Sequence, residues 1–565
     1  MADDRHSPAR LLAFRRRAAR AGASVTYRQT QRIPAAHAIA ARADPVTEVA
    51  GLSGDGDSQP AAASRPVRDA PGGGTVSRYA AATGILRRHW LAAALLTAGL
   101  VLRVLAQFAY RPALFYIDSV KYLYDAAGND PVGYTAPLRA IAAVSNLDVV
   151  VAVQHLLGLA IAVVIYIVLL RRGVSRWLAA LAIAPILLDA YQLQDEQAIM
   201  PGTWFEALIV AGLAILLWKP GVSWRRVMLA GLLLGTSATV AQVGEALIPA
   251  AAIFVLAAGG RWRQAIGKAA VLCVACVVPI LAYSTGSYLL TGNFFLSHTG
   301  VTSFYGRTAA AADCATIKLP PAERALCPDP AQQARGNDWL EYATYAPVQQ
   351  HYYDNHTLSR GEVNSLVTNF SNSVVRQQPL RVLHAYLHDV LKVYAVDRVS
   401  LPGDPPVSRW QFQTSFPYFL SHATPAIVRG AVGRFGGGLP AVWRPVAGFL
   451  RSYQLDGGYT PGPLLLLCTV TGLIGSAFAL RRRQSRADRE PALACLLFFA
   501  SAVLLTLVSD LFVFSWRYQL PALVTLVPAG ALGISVIISS IRTRRTSRTG
   551  NGEAGSREMG RYASG

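Results

Sequence analysis

The sequence predicts an all-α polytopic membrane protein of about ten transmembrane helices, with a large extracytoplasmic insertion of mixed, mainly helical character between spans seven and eight. Three observations predict it. Of 565 residues, 53% are hydrophobic and only 15% are charged. The apolar residues fall in runs of about 18 to 25, the length a helix needs to cross the hydrocarbon core. The net charge of +21 collects in Arg-rich tails and short links between those runs, which is how loops retained in the cytoplasm are marked. No RNA-binding motif or groove-reading helix accompanies that charge, so nucleic acid is not an expected partner.

Residues 1–86 are rich in Ala, Arg, Gly, Ser and Pro, have no apolar period, and read as a disordered basic cytoplasmic tail. Its cluster of Arg15, Arg16, Arg17 and Arg20 is either solvated or in touch with anionic lipid. The tail lacks the apolar core and cleavage site of a signal peptide, so the first span, about 89–110, is expected to act as an uncleaved anchor. The other candidate spans lie at about 148–170, 177–193, 198–218, 226–242, 245–259, 267–290, 461–480, 491–510 and 518–541. Arg87 and Arg88 precede the first; Arg171, Arg172 and Arg176 follow the second; Lys219, Arg225 and Arg226 follow the fourth. Arg261, Arg263 and Lys268 follow the sixth, Arg481, Arg482 and Arg483 the eighth, and Arg542, Arg544 and Arg545 the tenth. Every even-numbered exit is basic, which puts both termini in the cytoplasm of a cell whose plasma membrane holds the chain. The fifth and sixth spans are short and flank Gln242 and Glu245, so they are tilted or re-entrant, and parity survives either way. The organisation expected is therefore a tail at 1–86, a seven-span core at 87–290 with an outer loop at 111–147, an extracytoplasmic insertion at 291–460, three spans at 461–541 and a basic cytoplasmic tail at 542–565.

Chemistry is expected on the outer face. The run Tyr116-Ile117-Asp118-Ser119-Val120-Lys121-Tyr122-Leu123-Tyr124-Asp125 follows the first span, and in a helix Asp118, Tyr122 and Asp125 would share one face. Asp118 is then a candidate base, against the alternative of a solvated juxtamembrane helix. A second acidic segment, from Asp189 through Gln194-Asp195-Glu196-Gln197, reads as a tight external turn, with Pro201 in the first turn of the next helix. Asp195 and Glu196 could simply cap that helix, but capping explains one carboxylate better than three. Arg111, Arg139, Glu245 and Arg307 also lie at outer edges, as does Trp516-Arg517-Tyr518-Gln519-Leu520-Pro521. Trp516 and Tyr518 suit the interfacial aromatic belt, while Arg517 stands outside against the charge bias and suits an anionic partner. His384 and His388 have the i, i+4 spacing of a metal pair, but without a third ligand they read as structural or solvated, and no metal site is expected. Cys273, Cys276, Cys468 and Cys495 lie in apolar runs and read as packing; Cys314 and Cys327 lie in the outer insertion and are expected to close a Pro-rich loop as a disulfide. With no Walker sequence or dinucleotide loop, an outer-face reaction needs an activated substrate delivered in the membrane, such as a polyprenyl-phosphate sugar.

The early Asp118 loop, the acidic Gln194-Asp195-Glu196-Gln197 segment, the seven-span core, the large insertion and the late Arg517-Tyr518-Gln519-Leu520-Pro521 together resemble the GT-C glycosyltransferases. The likeness is to the bacterial branch of aminoarabinose and mannosyl transferases, in a chain of actinobacterial type. The family's Asp-Glu pair is Asp118-Ser119 here. The resemblance implies inverting transfer of a hexosyl or pentosyl group from a polyprenyl-phosphate donor to an extracytoplasmic glycan, lipid or protein acceptor. It implies Asp118 as general base, with Asp195 and Glu196 positioning hydroxyls or, for Asp195, serving as a second base. Arg517, with Arg307, Arg139 and Lys121, would meet the phosphate, and Tyr122 and Tyr518 would supply a stacking surface. A divalent cation bridging carboxylates and phosphate is compatible with the set but not demanded by it. Two other readings are a lipid or glycan transporter and a non-catalytic cell-envelope scaffold; the first lacks inverted repeats with paired broken helices.

Overall fold

The computed structural model describes residue 84 and residues 87–562, apart from 117, 125–130, 293, 298, 355–357, 417–424 and 482–485. Asp125, Arg482, Arg483 and nearly all of the 1–86 tail lie outside the described residues. The apolar runs form helices in chain order: α1 (Trp90–Ala109), the short α2 (Ser119–Tyr124) and α3 (Thr135–Ala142), α4 (Leu147–Arg171), α5 (Arg176–Leu188), α6 (Ala190–Gln197), α7 (Gly202–Leu217), α8 (Trp224–Val240), α9 (Leu247–Ala258) and α10 (Trp262–Thr291). Asn146 starts α4 by accepting the Val149 N–H at 3.2 Å, and Ser175 does the same for α5 through Leu178. Between them Gly173 turns the chain at φ +83°.

Among the described residues, six helices are long and apolar enough to cross a membrane, and a seventh is reached if α5 and α6, bent by 50° at their junction, count as one span. The ten expected spans each meet a helix, but not all meet the length: α7 has 16 residues, α8 has 17 and α9 has 12. Crossing needs about 20. The polar Gln242-Val-Gly-Glu245-Ala246 stretch winds as a 3-10 turn before α9 and leaves that run short.

Among the described residues of 292–461 nine α-helices follow: α11 (Thr299–Ala311), α12 (Pro321–Arg324), α13 (Pro330–Gln333), α14 (Gly336–Tyr342), α15 (Pro347–Asp354), α16 (Arg360–Gln377), α17 (Pro379–Lys392), α18 (Pro425–Phe435) and α19 (Arg444–Leu455). Tyr305, Leu326, Leu340, Val367 and Phe370 give α11, α14 and α16 a core of their own. Cys314 and Cys327 are joined as a disulfide, with Cα atoms 5.9 Å apart. The chain ends with α20 (Gly462–Ala479), α21 (Arg486–Asp510) and α22 (Pro521–Tyr562), whose apolar part spans Trp516–Arg542 with the turn before it. The 542–565 tail thus continues as helix to Tyr562. α20 and α22 approach through glycine: a Cβ on Gly533 would stand 2.0 Å from the Thr471 carbonyl oxygen.

Basic helix ends gather at one end of this bundle. Arg172, at the close of α4, pairs with Glu490 of α21 and donates to the Lys219 carbonyl at 3.1 Å, while Arg489 donates to the Ala257 carbonyl at 2.8 Å. The exits of α4, α7 and α9 thus meet the entry of α21. A two-residue antiparallel pair, β1 (Tyr110–Arg111) with β2 (Ala441–Val442), ties the exit of α1 to the start of α19.

Candidate active site

The backbone brings the two acidic segments together. Leu114 and Ala198 form a parallel bridge, with Leu114 N–H donating to the Gln197 carbonyl and Ile199 N–H to the Leu114 carbonyl, both at 3.0 Å. Ser119 locks the same junction: its Oγ accepts the Tyr116 N–H at 2.8 Å and donates to the Ile199 carbonyl at 2.9 Å. This is the position where the GT-C pattern has a second carboxylate. An ionised side chain there has no proton for the Ile199 carbonyl, so the hydroxyl suits this junction and an acid does not.

Asp118 precedes α2, and its backbone carbonyl accepts the Lys121 N–H at 3.1 Å. Its carboxylate lies 3.3 Å from Arg517 Nη1 and 3.6 Å from Lys121 Nζ, with the side chain 31% exposed. Burial pushes this carboxyl up, but Lys121 and Arg517 outweigh it and hold it below the ordinary Asp value. Arg517 sits on the 3-10 turn Trp516–Gln519 that opens the last span. Its guanidinium lies 4.6 Å from the Trp410 ring, 5.0 Å from Tyr518 and 5.9 Å from Tyr116. Tyr116 and Trp410 are themselves 3.9 Å apart, and burial raises the Tyr116 hydroxyl so that it remains a neutral donor. The result is a cation on an aromatic floor beside a partly open carboxylate.

The 189–197 segment is not the external turn expected. It forms the short helix α6, buried along its whole length, because Asp189 caps it by accepting the Tyr191 N–H at 2.9 Å. The Arg398 guanidinium pairs with the Asp189 carboxylate at 2.8 Å and lies 4.5 Å from Tyr191 and 5.7 Å from Trp516. Asp195 points inward with both carboxylate oxygens buried and without a hydrogen-bond partner. Gly202 makes room for it, since a Cβ there would stand 2.0 Å from Oδ2. The Leu114–Ala198 bridge ties the end of α6, which carries Asp195, to the loop that carries Asp118, and Arg517 joins Asp118 from the last span.

Glu196 turns the other way. Its two oxygens meet Arg103 at 2.7 Å and His155 at 3.0 Å, a fully buried cluster behind α6. Arg103 also donates to the Leu187 carbonyl at 3.0 Å, so Glu196 helps hold α6 against α1 and α4. Tyr122 is buried edge-on to Tyr134, 5.2 Å between centroids, rather than sharing an open face with Asp118. Arg139 is half-buried on α3. Arg307 joins a different cluster: it pairs with Asp389 of α17 and donates to the Asp510 carbonyl at 2.8 Å. His384 and His388 are exposed on α17. Among the described residues, no group of three or more His, Cys, Asp or Glu is arranged to hold a metal ion.

Three contributors carry little sequence signal: Trp410, Arg398 and the capping role of Asp189. Arg103 does carry one, as a charge inside an apolar run. Near Arg398 and Asp189 a cavity of about 660 Å³ runs between α5, α20 and α22, lined by Pro185, Leu188, Leu464, Leu467 and Val527, with Asp189 and Thr460 at its polar end.

No family model matches the sequence, and no curated protein matches it. Among solved structures, an archaeal oligosaccharyltransferase, AglB from Archaeoglobus fulgidus in complex with an inhibitory peptide and a dolichol-phosphate, aligns with a TM-score of 0.31 and 14% identity, over 80% of this chain and 47% of its own. The chain thus spans about half the length of that protein. At that TM-score the likeness fixes neither fold nor chemistry.

Proposed function

We propose that this chain is a membrane glycosyltransferase of GT-C type that moves a sugar from a polyprenyl-phosphate donor to an acceptor on the face bearing Asp118. The observation that carries the reading is the Asp118–Arg517 pair beside the Tyr116 and Trp410 rings, with Asp195, buried and without a hydrogen-bond partner, on the helix whose end the Leu114–Ala198 bridge ties to the same loop. A guanidinium matches phosphate oxygens in bidentate fashion, and Lys121 adds a second charge nearby. The acceptor hydroxyl donates to Asp118. As its oxygen bonds the anomeric carbon, the proton passes to Asp118 and the bond to the phosphate oxygen breaks with its electrons on the phosphate, which inverts the centre.

The Asp118–Arg517 pair gives this step an order. While paired, Asp118 is held as a weak base; a donor phosphate that draws Arg517 away raises its basicity once the donor is bound. Asp195 offers two buried acceptor atoms for hydroxyls of the sugar or the acceptor. The apolar cavity between α5, α20 and α22 has the lining for the prenyl chain. Glu196, through Arg103 and His155, positions α6 behind Asp195.

The test is transfer by purified protein from a panel of polyprenyl-phosphate sugars, comparing wild type with Asp118→Asn. Turnover should fall by about 10² to 10⁴, the usual contribution of a general base, with donor binding retained. Equal turnover in the variant removes Asp118 as the base. No transfer by wild type from any donor of the panel counts against the enzyme reading itself.

A further inference from the structure

α17 presents two unlike faces. One faces protein: Asp389 pairs with Arg307 and, at 2.7 Å, with Lys392, and the Tyr386 hydroxyl donates to the Leu507 carbonyl at 2.9 Å. Leu507 belongs to α21, in the stretch Arg489–Asp510 that is long and apolar enough to cross a membrane. At about 1.5 Å per residue, its carbonyl lies roughly 5 Å inside the Asp510 end. A tyrosine side chain therefore fastens α17 within one turn of the lipid-crossing part of α21.

The other face is apolar and open. Leu380, Leu383, Leu387 and Leu391 follow at spacings of 3, 4 and 4, one stripe of a helix, and are 78%, 47%, 46% and 63% exposed. The open apolar surface continues past the helix with Val396 and Val399. Beside the leucines stand Arg381, His384 and His388, all exposed. A contiguous leucine stripe of this kind is not left in water. Its attachment to a helix long and apolar enough to cross a membrane names the partner, the bilayer.

We infer that α17 is an interfacial helix, lying in the bilayer surface at the Asp510 end of α21 with its leucine stripe among the acyl chains and Arg381, His384 and His388 at headgroup level. The pattern of a leucine face beside basic and histidine side chains is that of helices that lie in the membrane plane. The consequence is mechanical. α17 leads directly into residues 393–410, which carry Arg398 to Asp189 and Trp410 to Arg517, so a bilayer contact at α17 holds that strap at a fixed height over the candidate site.

The test uses the full chain with Cys273→Ser, since Cys273 is the partly accessible one among the free cysteines Cys273, Cys276, Cys468 and Cys495. Leu387→Cys or Leu380→Cys is added on the stripe and, separately, Ser365→Cys on the exposed surface of α16 as a reference. Each is labelled with a small fluorophore and reconstituted in vesicles of phosphatidylcholine and phosphatidylglycerol, with or without lipid brominated near the carbonyl end of its chains. The label at 387 and at 380 should be quenched by about twofold and the label at 365 hardly at all. Quenching at both stripe positions no greater than at 365 overturns the inference. So does fluorescence at 387 that changes with protein density and not with brominated lipid, which would make the stripe a contact between copies.

Discussion

Asp118 shares its charge with two cations, and the arrangement has a sign that can be measured. Lys121 and Arg517 favour the ionised form, so the native carboxyl titrates below its ordinary value and, as the proposed base, stays ionised as pH falls. Lys121→Gln removes one of those cations. The acid limb of the pH profile for kcat/KM should then move to higher pH, and an unmoved limb would mean that Asp118 is not the titrating base. Arg517→Lys tests geometry at constant charge. A lysine meets phosphate as a single point and gives up the stack on Trp410, so donor affinity should fall by about tenfold to a hundredfold, in line with about 1.5–3 kcal/mol for a charged hydrogen bond. Both residues are legible in the sequence because each breaks a local rule: an acid directly after a span, and an arginine on the face poor in positive charge. Trp410 breaks none. A tryptophan in an irregular, Pro-rich stretch has no period to place it, and only the folded chain lays it against Tyr116 and Arg517.

At the scale of elements, α6 shows what polar residues at a span edge can hide. Read along the sequence, three carboxylates in nine residues look like a solvated turn. In the fold each has a different buried environment: Asp189 caps the helix and holds Arg398, Glu196 meets Arg103 and His155, and Asp195 alone has no hydrogen-bond partner. The charged partners of Asp189 and Glu196 come from 41 or more residues away, beyond the reach of local pattern: the His155–Glu196 pair spans 41 residues, the Arg103–Glu196 pair 93 and the Arg398–Asp189 pair 209. Two substitutions separate the cap from the ion pair. Asp189→Ala removes both and leaves the Arg398 charge unpaired, for which breaking a buried pair costs about 3–5 kcal/mol. Asp189→Asn keeps an oxygen for the Tyr191 N–H, so it should be less destabilising by about 1 kcal/mol, the worth of an N-cap. Thermal midpoints in detergent should rank wild type, Asp189→Asn, Asp189→Ala from most to least stable. Equal midpoints for the two variants would show that the cap contributes nothing.

For the whole molecule, the expected parity is legible in charge counted over many loops rather than in any one contact. The count of spans was less so: α7, α8 and α9 are apolar but shorter than a bilayer crossing needs, and hydropathy along the chain does not reveal where a 3-10 turn or a bend at Asp189 ends a helix. The packing adds an independent expectation. The basic exits of α4, α7 and α9 converge on Glu490 and its neighbours, whereas the strap carrying Arg398 and Trp410 packs at Asp189, at the junction of α5 and α6. If the positive-inside bias sets the orientation, the basic end is cytoplasmic and the strap is outside. Ser223→Cys, beside the basic α7–α8 link, and Ser400→Cys, on the strap, are both exposed positions. In the Cys273→Ser background, a membrane-impermeant maleimide added to intact cells should label the cysteine at 400 and reach the one at 223 only after the membrane is opened. Labelling of both in intact cells, or of 223 alone, would invert or break the topology, and with it the placement of Asp118 on the face where a lipid-linked sugar would be used.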